Sequence, residues 1–148
     1  MSGGQGHVAH LVRRFWGSLS SAPPDAGDVE WARAHLTAAE AEMWDAMAPQ
    51  DRRHSVAVAR CVAASEPARE VVAGALLHDV GKTASGLNTW ERVAATLVGP
   101  RGVRFERYHD HERIGSDMAA QAGSDEVTVA LIRGEGSAAP ILRACDDT

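Results

Sequence analysis

The segment Leu76-Leu77-His78-Asp79-Val80-Gly81-Lys82 restricts the fold of this chain more than any other. It closes an apolar run with an imidazole beside a carboxylate, followed by a glycine and a lysine. An apolar run of this kind belongs inside a protein, and a His-Asp pair at its end must be satisfied there, because buried polar and charged groups are costly without partners. A divalent cation is one such partner. Imidazole nitrogen and carboxylate oxygen are borderline-to-hard ligands suited to Mn, Fe, Co, Ni, Zn or Mg. Two further candidates stand far away in sequence, His54 upstream and Asp146 downstream.

The chain of 148 residues is long enough for one domain with a core of its own. Alanine is abundant and aromatic residues make up only 5% of the chain, which favours helices over strands. A net charge of -5, with no dense Lys/Arg cluster, argues against general nucleic-acid binding. The longest apolar stretch, residues 71–77, is far too short to span a membrane. The first residues, Met1-Ser2-Gly3-Gly4-Gln5-Gly6, do not read as a signal peptide, so the cytoplasm is the expected location. Cys61 and Cys145 are too few for a disulfide scaffold and lack C-x-x-C spacing. They are expected to be small buried residues in a reducing compartment.

Periodicity and punctuation predict a succession of helices. An amphipathic helix is expected at 7–19 and a loop at 20–27. A short helix capped by Asp28 should run to 36. Thr37-Ala38-Ala39-Glu40 reads as a capping box opening a helix that ends at Pro49 at the latest. Helices are then expected from 51 to 64, from Glu66-Pro67 to 78–79 with Gly81 as the stop, and from 88 to 98. Others should run from 110 to 122, from a Ser124 cap to 133, and from 138 to 145. Residues 101–107 receive no assignment. The fold class is therefore all-α, a helical bundle.

Residues at i, i+3, i+4 and i+7 share a helix face. By that rule His54 lies with Ala57, Val58 and Cys61, His78 with Val71, Gly74 and Ala75, and Asp79 with Val72, Ala75 and Leu76. Asp146 sits one turn beyond Leu142, and His111 precedes Ile114, Gly115, Met118 and Ala119. A lone histidine on an apolar face is ordinarily a satisfied core residue. Two histidines and two aspartates arriving together make that explanation weaker, and helical bundles are a known setting for metal sites.

Three blocks carry a family resemblance: Asp51-Arg52-Arg53-His54-Ser55, Ala75-Leu76-Leu77-His78-Asp79-Val80-Gly81-Lys82 and Ile141-Leu142-Arg143-Ala144-Cys145-Asp146. In this order they resemble the signature blocks of the HD superfamily of metal-dependent phosphohydrolases, whose pattern is H…HD…D on an all-helical fold. The resemblance implies that His54, His78, Asp79 and Asp146 coordinate a divalent cation. The block Tyr108-His109-Asp110-His111-Glu112-Arg113-Ile114-Gly115 is similar to a further family element, in which His111 serves a second metal or the substrate phosphate. It also implies an HD core at 51–148, on which residues 1–50 pack as an N-terminal helical segment within one compact domain.

The chain departs from the family pattern in ways that shape the expectation. Ile132-Arg133-Gly134-Glu135-Gly136 carries none of the further histidines of the two-metal branch, so one metal per chain is expected, with Glu135 the alternative oxygen ligand for a second. The Gly-Tyr-Pro signature of cyclic-di-GMP phosphodiesterases is absent. Asp147 is the alternative carboxylate if the register at Asp146 slips by one.

The activity that follows is hydrolysis of a small phosphorylated metabolite, a nucleotide being the favoured class. A bound cation would activate water and polarise the phosphoryl group. Asp79 would also orient the attacking water, Lys82 would bind the phosphate as a point charge, and His111 would contact the phosphate or protonate the leaving group. The alternatives are a non-catalytic module of the same fold that binds a metal or nucleotide, and hydration or lyase chemistry on the same site. Arg52, Arg53 and Arg113 read as solvated flanking charges. Gly81-Lys82-Thr83 is not a P-loop, because the required upstream glycine is Leu76 and the segment follows a helix. No nucleophile-elbow sequence supports Ser/His/Asp catalysis. Trp16, Trp31, Trp44 and Trp90 are expected to pack between helices, and His7, His10, His35 and His109 to lie at surfaces or helix ends.

Overall fold

The computed structural model describes residues 22–83 and 110–147. Among these the secondary structure is entirely helical: α1 (Ala26–Ala34), α2 (Ala38–Asp45), α3 (Pro49–Ser65), α4 (Arg69–Leu77), α5 (Val80–Thr83), α6 (Asp110–Gln121), α7 (Glu126–Ile132) and α8 (Ala139–Asp146). This is the all-α bundle that composition and periodicity predict. The helices expected at 7–19 and 88–98, the unassigned stretch 101–107, and Trp16, Trp90, His7, His10 and His109 lie outside the described residues.

The bundle is organised around α4. Every residue from Val71 to Leu77 is buried, so this helix has no solvent face and must be surrounded. Helices α3 and α7 pack on it, with α2 against one end. Gly74 lets α7 come close, because a Cβ at that position would lie 2.9 Å from Leu131 Cδ2. Val56, Val58, Ala59 and Val62 of α3 and Leu131 and Ile132 of α7 complete the core around Leu76 and Leu77. Trp44 is fully buried, with its indole N–H donated to Ser55 Oγ at 2.9 Å. Trp31 instead packs at the rim, beneath the Arg60 guanidinium at 4.5 Å.

Several helix ends differ from expectation for identifiable reasons. Helix α2 ends at Asp45, before Pro49 as expected, and Pro49 itself opens α3, its missing N–H being harmless in a first turn. Asp25, not Asp28, caps α1 by accepting from Asp28 N at 2.8 Å, which leaves Asp28 to pair with Arg60. Asp125, not Ser124, caps α7, and α4 begins at Arg69, after Glu66-Pro67. The Thr37–Glu40 capping box is present in both directions. Gly123 takes a positive φ of 84° at the end of α6, the conformation that favours glycine.

The Ser124 hydroxyl is used elsewhere, donating to Glu40 Oε2 at 2.6 Å. Glu40 is wholly inaccessible to solvent, and its other oxygen accepts from Thr37 N at 2.8 Å and Arg69 Nη1 at 3.1 Å. Burial alone would raise the Glu40 carboxyl, but the Ser124, Thr37 and Arg69 donors outweigh it and hold the group below its ordinary value of 4.5. The unfolded chain therefore takes up this proton more readily than the folded one. The stabilisation from Glu40 is complete well above pH 4.5 and is lost as pH falls through the lower folded value. Glu40→Gln should remove this part of the acid dependence, read from urea midpoints between neutral and acidic pH. Glu40→Ala should cost about 3 kcal/mol, because it strands buried donors.

The cysteines overturn the expectation of two reduced, buried thiols. Cys61 on α3 and Cys145 on α8 form a disulfide, with their Cα atoms 5.8 Å apart and 84 residues between them in sequence. Cys145 is buried and Cys61 is exposed. The pairing is made by the packing of α8 on α3, which spacing along the chain does not reveal. No helix among the described residues is long and apolar enough to cross a membrane.

Candidate metal centre

His78 caps the C-terminal end of α4, and Asp79 follows before α5 begins. Helix α3 presents His54, and the last residue of α8, Asp146, reaches the same point. His54 Nε2 lies 2.8 Å from Asp146 Oδ1, across 92 residues of sequence. His78 Nε2 lies 3.3 Å from Asp79 Oδ2 and 3.4 Å from Asp146 Oδ1. One ligand atom from each of His54, His78, Asp79 and Asp146 falls within 4.8 Å of all the others. Ligands about 2.1 Å from a shared ion stand about 3 to 4 Å apart, so small side-chain adjustments would close this group around a cation.

The state of His78 tests whether the group fits a cation. Its Nδ1 is 2.6 Å from the Ala75 carbonyl oxygen, one turn back on α4, which can only accept a hydrogen bond. Nδ1 therefore carries the proton, and in the neutral ring Nε2 presents a lone pair. That atom is buried and makes no hydrogen bond, and it faces two carboxylates. A lone pair directed at carboxylate oxygens is repulsive, and either a proton or a cation relieves it. Burial opposes charging the ring, but the Asp146 and Asp79 carboxylates and the Ala75 carbonyl prevail and raise His78 to about 8. Reciprocally, His54 and then His78 hold the Asp146 carboxyl far below the usual carboxylate range, against the effect of burial. An imidazole tied at one nitrogen to a backbone carbonyl, with the other aimed at carboxylates, is the arrangement metal-binding histidines adopt. The Ala75 carbonyl went unread in the sequence, although its position three residues before a helix-ending histidine was the available signal.

The remaining candidates fall elsewhere. His111, in the first turn of α6, is half-buried and outside the group of four, but its backbone carbonyl lies directly against Gly81, two residues past Asp79. Lys82 belongs to α5, and its side chain lies outside the described residues. Glu135 and Asp147 are exposed and not in the group. Arg52 stacks over Trp44 at 5.6 Å, and Arg53 donates to the Ala22 carbonyl at 3.1 Å.

A family model described as HD domain matches residues 51–141 of this chain. The chain belongs to the HD domain family. The match takes in His54, His78, Asp79 and His111 but stops short of Asp146, whose association with the other three rests on the tertiary geometry. No curated protein and no solved structure matches the chain. HD domains form a superfamily of metal-dependent phosphohydrolases, and this HD domain carries a His/Asp group able to hold a metal.

Proposed function

We propose that this HD domain is a metal-dependent phosphohydrolase acting on a small phosphorylated metabolite, with nucleotides the favoured class. The observation that carries the reading is His78 Nε2, a buried nitrogen with no hydrogen bond, facing two carboxylates. His54, His78, Asp79 and Asp146 hold one divalent cation, from among Mn, Fe, Ni, Co, Mg and Zn. Such a cation supplies Lewis acidity, lowering the pKa of water and drawing charge from phosphoryl oxygens.

The chain's own residues do the rest. The Ala75 carbonyl holds the His78 ring in one tautomer, so its Nε2 stays available as a ligand. Asp79 orients the attacking water by accepting its hydrogen bond. Lys82 binds the substrate phosphate as a point charge, and His111 contacts the phosphate or gives a proton to the leaving oxygen. Of the N-terminal segment, helices α1 and α2 pack on α3 and α4 of the HD core, and residues 1–21 lie outside the described residues. The cytoplasm is the compartment we assign, where the Cys61–Cys145 bond would have to form against a reducing thiol pool.

The test is metal content per chain by elemental analysis of protein purified without chelator, followed by a phosphomonoester, phosphodiester and nucleotide panel with the metal found. About one metal with turnover supports the reading. One metal without turnover on any member would place a non-catalytic binding module first. No metal after reloading with Mn, Fe, Ni or Mg would overturn it.

A further inference from the structure

The Cys61–Cys145 disulfide joins the same two helices that meet through His54 and Asp146. Cys145 is the residue before Asp146, and Cys61 lies seven residues after His54 on α3, about 10 Å along the helix axis. Two ties thus leave adjacent residues of α8 and land two turns apart on α3. Together they set both the position and the rotation of the last turn of α8.

The rest of the hold on α8 is its apolar face against the core, where Ile141 is also partly buried. Helix α8 has eight residues and no side-chain hydrogen bond at its N-cap, and its buried residues are Ala139, Leu142 and Cys145. A helix this short has little stability of its own and depends on its packing. Cys61, by contrast, is on the exposed side of the bond, where a thiol in solution can reach it.

We propose that the Cys61–Cys145 disulfide is the positioning element for Asp146, and that its reduction by a dithiol withdraws Asp146 from the His54–His78–Asp79 group and weakens binding of a divalent cation. The proposal rests on the metal-site reading above. The exchange balances as a two-electron step. A thiolate of the dithiol attacks the Cys61 sulfur, the Sγ–Sγ bond breaks, and Cys145 leaves as a thiolate that takes a proton. The second thiol of the reagent, as its thiolate, then displaces Cys61, which also takes a proton. Two cysteine thiols and one oxidised dithiol remain. Cys61 and Cys145 are positioning residues and touch no substrate.

The experiment compares the full chain oxidised with the same chain reduced by dithiothreitol and freed of reagent under argon, with a thiol count confirming two free thiols per chain. Amide hydrogen exchange across residues 139–147 and calorimetric titration with Mn²⁺ are both read. Reduction should raise exchange in this segment selectively and weaken Mn²⁺ binding about 10- to 100-fold, the range seen when groups supporting metal ligands are lost. Reoxidation should restore both. Cys61→Ser should behave as the reduced chain with or without oxidant, and Asp146→Asn should abolish the redox dependence of the affinity. Unchanged exchange and affinity within two-fold on reduction would overturn the proposal, as would global unfolding seen by circular dichroism. If neither redox state binds a divalent cation while reduction still frees residues 139–147, the metal-site reading fails and the positioning role stands.

Discussion

On the proposed function, an Asp79→Ala chain will emerge from purification without a bound divalent cation and with phosphohydrolase activity lowered about 1,000-fold or more. The size follows from what Asp79 is asked to do. A cation held at this site is worth several kcal/mol of charge stabilisation in the transition state, and about 4 kcal/mol corresponds to a factor of 1,000 in rate. The substitution also removes one of the two carboxylates facing His78 Nε2. His78→Ala should be as damaging, since it deletes the one member of the group that is almost wholly buried and already oriented by the Ala75 carbonyl. Far-UV circular dichroism of both variants should match the parent, because neither residue belongs to the apolar cluster that holds the helices together. Full metal content or undiminished turnover in Asp79→Ala would remove this residue from the site.

Gly81→Ala should destabilise the protein by about 3 kcal/mol or more, a larger effect than one added methyl group normally has. A Cβ at Gly81 would collide with the His111 carbonyl oxygen and stand 2.9 Å from Gly115 N and 3.0 Å from His111 C. All three are backbone atoms of α6 and cannot rotate away as a side-chain tip would, so one helix has to move. Gly115 is nearly as confined from the other side, with Val80 Cγ1 at 3.1 Å and Gly81 N at 3.2 Å from its own Cβ position. The same displacement would shift the carbonyl end of His111 relative to Asp79, so activity should fall along with stability. Chemical denaturation gives the stability loss directly. Gly27→Ala in exposed α1 is the contrasting case. Its Cβ meets only Asp25 Oδ1, at 3.4 Å, and helix propensity should stabilise the chain by up to about 1 kcal/mol.

Gly81 also shows where local reading goes astray. A glycine two residues past His78-Asp79 reads as a helix stop, yet it lies inside α5 and is not among the glycines of positive φ. Its role is to admit another backbone, and nothing in Val80-Gly81-Lys82 names that neighbour. The capping box at Thr37 and Glu40 was readable because both partners lie within one turn. The further bonds from Glu40 to Arg69 and Ser124 reach 29 and 84 residues away and were not.

The readings that the amino-acid order supports are local. The helical class follows from composition and periodicity, and the apolar character of Val71 to Leu77 forces α4 inside and carries His78 and Asp79 there with it. The family blocks add His54 and Asp146 as candidates. Tertiary structure alone decided how those residues meet: that Asp146 Oδ1 lies 2.8 Å from His54 Nε2, that His111 stays outside the group, and that Cys145, read as a buried thiol, is covalently bound to Cys61. The physical reason is range. Helix propensity, capping and facial periodicity act over a few residues, whereas a distance between side chains on different helices depends on how whole faces pack, and that is a property of the assembled core.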